Sequence, residues 1–399
     1  MTGDIKKIFV VAGEHSGDAL GGKIMSSLKE ASAYELAFQG VGGEAMGREG
    51  LQSIFPMSDV AVMGIVDIAK ALPRIVRRVY QCVDAVIAMQ PDLLLIIDSP
   101  EFTHPIAKRV RKALPSCPIL NYVSPTVWAW RPGRAKKMQP YVDHVLALLP
   151  FEPAAHERLG GPKCSYVGHP MIEKIEWMRS RDHISLRDKL KLNPDHPVLV
   201  VLPGSRPNEV TRLMKPFGQA IEKICTDLKQ DIEVIIPVVP SVQHLIEKEL
   251  TQWKHGAHLV FGEEDKFASF KLAQVALAAS GTVSLELALA GTPMVIGYKA
   301  DPIMALFRGL VQVPSVVLAN LVLEENIFEE FLQNECKPND LSRAVLPLIS
   351  NTPKRQKQIH ALERLEEKMI LAKQSNQVVS PSDAAAQIIL DYLPTKTSA

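Results

Sequence analysis

Val198-Leu199-Val200-Val201-Leu202-Pro203-Gly204-Ser205-Arg206 decides the fold. Five consecutive apolar residues are too few for a helix and show no alternation, so they fit a strand covered on both faces. The chain then turns on proline and glycine and becomes helix-like. The same phrase recurs along the sequence, at 8–12, 36–41, 93–97, 119–123, 145–149 and 166–167, and again at 198–202, 234–239, 259–261, 275–279 and 294–296. Strands alternating with helices predict doubly wound α/β sheets.

Two such series in 399 residues predict two Rossmann-like domains, 1–170 and 171–350, with a cleft between them. Gly168-His169-Pro170 closes the first series, and a charged stretch flanked by Pro194 and Pro197 precedes the second. C-terminal helices over 351–399 are expected to pack across the domains or across a dimer. Pro381-Ser382-Asp383 reads as the start of the last helix, to about Tyr392.

Composition narrows the function. A 47% hydrophobic and 22% charged chain is globular, and a net charge of +1 gives no case for nucleic acid. The apolar run near the N-terminus is too short for a signal-peptide core, and nothing approaches the ~20 apolar residues that span a bilayer. Cys82, Cys117, Cys164, Cys225 and Cys336 are widely spaced, which suits reduced thiols in a cytoplasmic protein. No histidine lies in an H-E-x-x-H spacing and no loop carries D-x-D, so neither metal nor cofactor is expected.

In open α/β sheets ligands bind beyond the carboxyl ends of strands, so the loops after the strands carry the candidates. After the first comes Gly13-Glu14-His15-Ser16-Gly17-Asp18. Here Glu14 and His15 would face an acceptor, or Asp18 would merely cap the following helix. Asp98 follows five apolar residues, and a partly desolvated carboxylate at a strand tip suits a general base, unless it caps the next helix or holds the turn at Pro100. Trp128 and Trp130, with Arg131 behind them, form either an aromatic plug or an apolar and cationic floor for a sugar-phosphate or lipid.

In the second half, Gly204-Ser205-Arg206 offers backbone N–H groups and a guanidinium to a diphosphate. Ala279-Ser280-Gly281-Thr282 ends a strand and opens a helix, whose free N–H groups make a phosphate seat. Glu286 lies one turn further, within reach of two ribose hydroxyls. Two stretches, 60–80 and 303–313, combine apolar and basic residues as a lipid surface or acyl chain would require. A buried core stripe is the plainer reading of both.

Taken in order, these segments resemble the lipid-A-disaccharide synthases, glycosyltransferases of the two-Rossmann GT-B architecture. The carriers are Gly13-Glu14 with Ser16-Gly17-Asp18, Ala61-Val62-Met63-Gly64-Ile65-Val66, Tyr122-Val123-Ser124-Pro125 with Val127-Trp128-Ala129-Trp130-Arg131, Leu148-Leu149-Pro150-Phe151-Glu152, Leu202-Pro203-Gly204-Ser205-Arg206, and Ala279-Ser280-Gly281-Thr282.

The resemblance implies transfer of 2,3-diacylglucosamine from UDP to the 6-hydroxyl of 2,3-diacylglucosamine 1-phosphate. The products are a β-1,6-linked disaccharide and UDP, with inversion. Asp98 is then the expected base, with Glu14 assisting or competing. Arg206, Ser280, Gly281 and Thr282 are expected on the diphosphate, and Glu286 on the ribose. Asn320 matches a family asparagine near the donor, and Ser16, Trp128 and Arg131 are expected to touch substrate. The resemblance also implies peripheral attachment to the cytoplasmic face of the inner membrane and a possible homodimer.

The chain departs from the family pattern at His15, Asp67, Glu101, Thr103 and Ala319, which bears on acceptor contacts. A UDP-N-acetylglucosamine epimerase would share the second-half loops, and a non-catalytic nucleotide-sugar binder would bind without turnover. A dehydrogenase is disfavoured because the glycine fingerprint of dinucleotide sites is missing.

Overall fold

The computed structural model describes residues 5–61, 65–300, 313–371, 373–374 and 377–394. The chain divides into two compact units, Met1–Pro170 with Leu371–Ala399, and Met171–Ile370.

The first unit is built on seven parallel strands: β1 (Ile5–Ala12), β2 (Glu35–Val41), β3 (Gln52–Ser53), β4 (Leu93–Ile97), β5 (Ile119–Tyr122), β6 (His144–Ala147) and β7 (Lys163–Tyr166). Their order is β3-β2-β1-β4-β5-β6-β7. All five residues of β4 are buried, as a central parallel strand with both faces covered requires.

The second unit repeats the design with β8 (Val198–Leu202), β9 (Glu233–Val238), β10 (His258–Phe261), β11 (Val275–Ala278), β12 (Met294–Tyr298) and β13 (Glu330–Leu332), in the order β10-β9-β8-β11-β12-β13. Its central strand is β8, also buried along its whole length.

Each unit takes one of the two helices in the segment 351–399. Pro353–Met369 belongs to the second unit, where the Gln358 side-chain amide bonds both the N–H and the C=O of Met294 at 2.8 and 3.0 Å. Pro381–Asp391 belongs to the first unit and adds Ala385, Ala386 and Ile389 to the core beneath the helix His15–Ala31. Apolar faces on both helices explain the division, since each buries its apolar residues within its own unit, Ala361, Leu362, Leu365 and Met369 in one and Ala385, Ala386 and Ile389 in the other.

Among the described residues, no helix is long and apolar enough to cross a membrane. Part of the first apolar-basic stretch, 62–64, and nearly all of the second, 303–312, lie outside the described residues.

Candidate functional site

In each sheet the strand order reverses once, between β1 and β4 in the first and between β8 and β11 in the second. A crevice opens at such a switch point, beyond the carboxyl ends of the strands. The four loops that leave these strands carry Glu14, with Ser16 in the first turn of the helix that follows, Asp98, Arg206, and Ser280-Gly281-Thr282. Topology thus gathers the first-unit candidates at one crevice and the second-unit candidates at another.

In the first unit the two loops touch. A Cβ added to Gly13 would lie 2.7 Å from the Cβ of Ser99, so only glycine fits here. Asp98 and Ser99 have φ of +50° and +42°, consecutive left-handed residues without glycine. Strain of this kind is held only where surrounding bonds enforce it. Those bonds are Asp98 N–H to Tyr122 O at 3.0 Å, Ser99 N–H to Asp98 Oδ1 at 2.7 Å, and the Thr103 hydroxyl to Asp98 O at 2.8 Å. The elbow leaves the Asp98 carboxylate half-buried at the strand tip, and Ser99 Oγ buried with no partner.

Glu14 is the N-cap residue of the helix His15–Ala31, and Glu14, His15 and Ser16 are exposed. Asp18 is not the cap of that helix. It sits in the first turn, buried, and its carboxylate accepts from the N–H groups of Gly43, Ala45 and Met46 at 2.7, 3.0 and 3.1 Å. It therefore caps the next helix, Glu44–Arg48, across space.

Trp128 is half-buried and anchored. Its Nε1 donates to Glu152 at 3.0 Å, and its ring meets Phe151 edge-on at 5.1 Å. Glu152 is buried and also accepts from Leu148 N–H and Leu149 N–H, and burial pushes its pKa up to about 7. Arg131 is exposed, with its guanidinium 5.1 Å from the Trp130 ring and 3.5 Å from Glu101, which also pairs with Arg134. His104, on the helix that follows Asp98, lies between Tyr141 and Asn121, and burial lowers its pKa to about 4. It is thus neutral and internally bonded.

In the second unit Arg206 precedes the helix Pro207–Leu228, and its side chain is 77% exposed. Glu209 organises the turn, accepting from Arg206 at 3.1 Å and from Ser205 N–H at 3.3 Å. Thr282 is the N-cap residue of the helix Val283–Ala290, and Gly281 and Thr282 are exposed. Glu286, one turn on, is half-buried and paired with Lys266 at 2.5 Å.

Asn320 is buried and spends its amide internally. Nδ2 donates to Ser315 Oγ and Phe328 O, and Oδ1 accepts from Ile327 N–H and Phe328 N–H, at 2.9 to 3.1 Å. That fills the four bonds an asparagine side chain makes. Its part is to shape the segment around it.

That segment reaches the loop Ser280-Gly281-Thr282. Ser280 Oγ donates to Val316 O at 2.9 Å, while Glu330 accepts from Val316 N–H and Ser315 Oγ at 2.9 and 3.0 Å. Glu330 and Lys266 are missed by sequence reasoning, because neither follows a strand at a recognisable turn. Glu330 sits on β13, a three-residue edge strand with no apolar run. Among the described residues no three His, Cys, Asp or Glu side chains cluster as metal ligands would.

The family model described as lipid-A-disaccharide synthetase matches residues 8–388. A lipid-A-disaccharide synthase of Nitrobacter winogradskyi is 46% identical over 389 residues, 97% of this chain and 96% of the relative. One from Rhodospirillum centenum is 40% identical over 393 residues, 98% of this chain and 96% of the relative. Among solved structures, a UDP-GlcNAc 2-epimerase from Neisseria meningitidis bound to UDP-GlcNAc superposes with TM-score 0.56 at 12% identity, covering 98% of this chain and 99% of that one. Anabaena HepE in complex with UDP-glucose gives 0.56 at 14% identity, over 97% and 100%. At such identities the likeness is one of fold, two Rossmann-like units of the GT-B kind.

Proposed function

This chain belongs to the lipid-A-disaccharide synthase family of glycosyltransferases, and on that premise we propose that it transfers 2,3-diacylglucosamine from UDP to the 6-hydroxyl of 2,3-diacylglucosamine 1-phosphate, with inversion and without a metal ion. The observation that carries this reading is topological. The loops bearing Asp98, Arg206 and Ser280-Gly281-Thr282 leave the strands on either side of the two switch points.

Asp98 takes the proton of the acceptor 6-hydroxyl as its oxygen attacks the anomeric carbon. The bond from that carbon to the β-phosphate oxygen breaks, and UDP leaves with the electron pair. Arg206 and the free N–H groups at Gly281 and Thr282 take up the growing negative charge. Glu286 accepts from the ribose hydroxyls. Glu14, Ser16, Trp128 and Arg131 serve the acceptor side, and Asn320 supports the donor side by holding the segment bonded to Ser280.

We place the enzyme on the cytoplasmic face of the inner membrane. Leu72, Val76 and Tyr80, four residues apart on the helix Ile65–Met89, are exposed and flanked by Arg74 and Arg77. Such a row suits an anionic lipid surface.

The test is UDP release from UDP-2,3-diacylglucosamine in mild detergent, with and without the 1-phosphate acceptor, in EDTA. Acceptor-dependent release that survives EDTA supports the reading. Asp98→Asn is expected to lower kcat about 10²–10⁴-fold with donor affinity kept. No release by folded wild-type protein overturns the substrate assignment, and an Asp98→Asn variant at full rate removes Asp98 as base.

A further inference from the structure

The carboxylate assigned to the ribose is itself held by a lysine. Lys266 Nζ lies 2.5 Å from Glu286 Oε2, and the two side chains are 24% and 18% exposed. Lys266 comes from the helix Gly262–Leu272, outside the four loops that leave the central strands. Glu286 sits one turn from a helix end that offers its N–H groups to a diphosphate. An unpaired carboxylate so close would repel that ligand, and the more so because it is half out of water.

We propose that Lys266 is a positioning and specificity residue of the donor site, which fixes Glu286 through Oε2, leaves Oε1 to the ribose, and cancels the charge that would oppose a nucleoside diphosphate. This rests on the assignment of Glu286 to the donor. Its signature is that the effect of Lys266 grows with the number of phosphates on the ligand. A purely structural lysine would weaken all uridine nucleotides alike.

Calorimetric titration of the full chain with UDP and UMP tests this in wild type, Lys266→Met, Lys266→Arg, Glu286→Gln and the Lys266→Met/Glu286→Gln double variant. Lys266→Met is expected to weaken UDP about tenfold and UMP about threefold or less. Lys266→Arg, which keeps the charge, should bind UDP within about threefold of wild type. The double variant should bind UDP within about threefold of Glu286→Gln alone, because the lysine acts through the glutamate. If Lys266→Met does not fold, the double variant and Lys266→Arg decide the matter.

Equal losses for UDP and UMP, or a further tenfold loss in the double variant, overturn the proposal while leaving Glu286 in the donor site. Unchanged UDP affinity in Glu286→Gln overturns the donor assignment and the proposal together.

Discussion

The indole Nε1 of Trp128 donates to the Glu152 carboxylate at 3.0 Å, and this bond ties the loop after β5 to the loop after β6. The other carboxylate oxygen accepts from Leu148 N–H and Leu149 N–H at 3.1 and 2.9 Å, so one buried group fixes both turns. Two sequence segments that carry the family resemblance are thereby one structural object. The glutamate thereby fixes the position of the indole that we propose serves the acceptor side.

Glu152 also makes stability depend on pH. Burial raises its pKa from the ordinary 4.5 to about 7. Between those values the folded chain keeps a proton that the unfolded chain releases. Stability from this group is therefore greatest at acid pH and falls as pH rises, by up to ~1.4 kcal/mol per unit and roughly 3 kcal/mol in all. Glu152→Gln cannot titrate. Urea unfolding at pH 5 and pH 7.5 should show the advantage of wild type over Glu152→Gln shrinking with pH, and a constant difference would contradict the raised pKa.

Gly13 is where the loops after β1 and β4 meet. In Gly13→Ala the new methyl must push Ser99 aside, and with it the left-handed elbow that presents Asp98. Overpacking of this kind costs about 1–3 kcal/mol of stability. The expected result is a kcat lowered more than about tenfold with UDP affinity within about twofold of wild type, because only the proposed base is displaced. Steady-state kinetics and UDP titration check this, and an unchanged kcat would show that the elbow tolerates movement.

Most of the fold was legible in the sequence because central parallel strands must be continuously apolar. The runs at 93–97 and 198–202 coincide with β4 and β8. The edge strands β3 and β13 were not legible, since Gln52-Ser53 and Glu330-Phe331-Leu332 carry no such run. The site candidates after strands were visible from their turns. What escaped was everything set by contact across the chain, namely the three N–H groups held by Asp18, the internal bonds of Asn320, and the pairing of Lys266 with Glu286. The left-handed backbone at Asp98 and Ser99 escaped too, because neither residue is glycine.

The exposed row of Leu72, Val76 and Tyr80 gives the membrane reading its own test. The Leu72→Ser/Val76→Ser variant removes two exposed apolar groups that lie outside the buried core of the unit. Binding to vesicles containing anionic lipid should weaken about tenfold, as loss of a few buried methylenes implies. The rate in detergent should stay unchanged. Undiminished vesicle binding would remove this face as the membrane contact.

Arg206 is the last residue before the helix Pro207–Leu228, and its guanidinium reaches Glu209 at 3.1 Å while remaining mostly exposed. Glu209 is buried, but the arginine end of the pair lies in solvent, so the pair contributes about 1 kcal/mol at most, and Ser205 N–H still binds Glu209 when the arginine is gone. Arg206→Ala should therefore unfold in urea almost as wild type does. On a diphosphate the same guanidinium makes charge-assisted bonds of about 1.5–3 kcal/mol, so UDP should bind roughly 10–100-fold more weakly. Arg206→Lys keeps the charge but not the planar fork and should fall between the two. If Arg206→Ala binds UDP as tightly as wild type yet turns over slowly, the arginine serves only the departing charge. If UDP affinity and turnover are both intact, the diphosphate lies elsewhere.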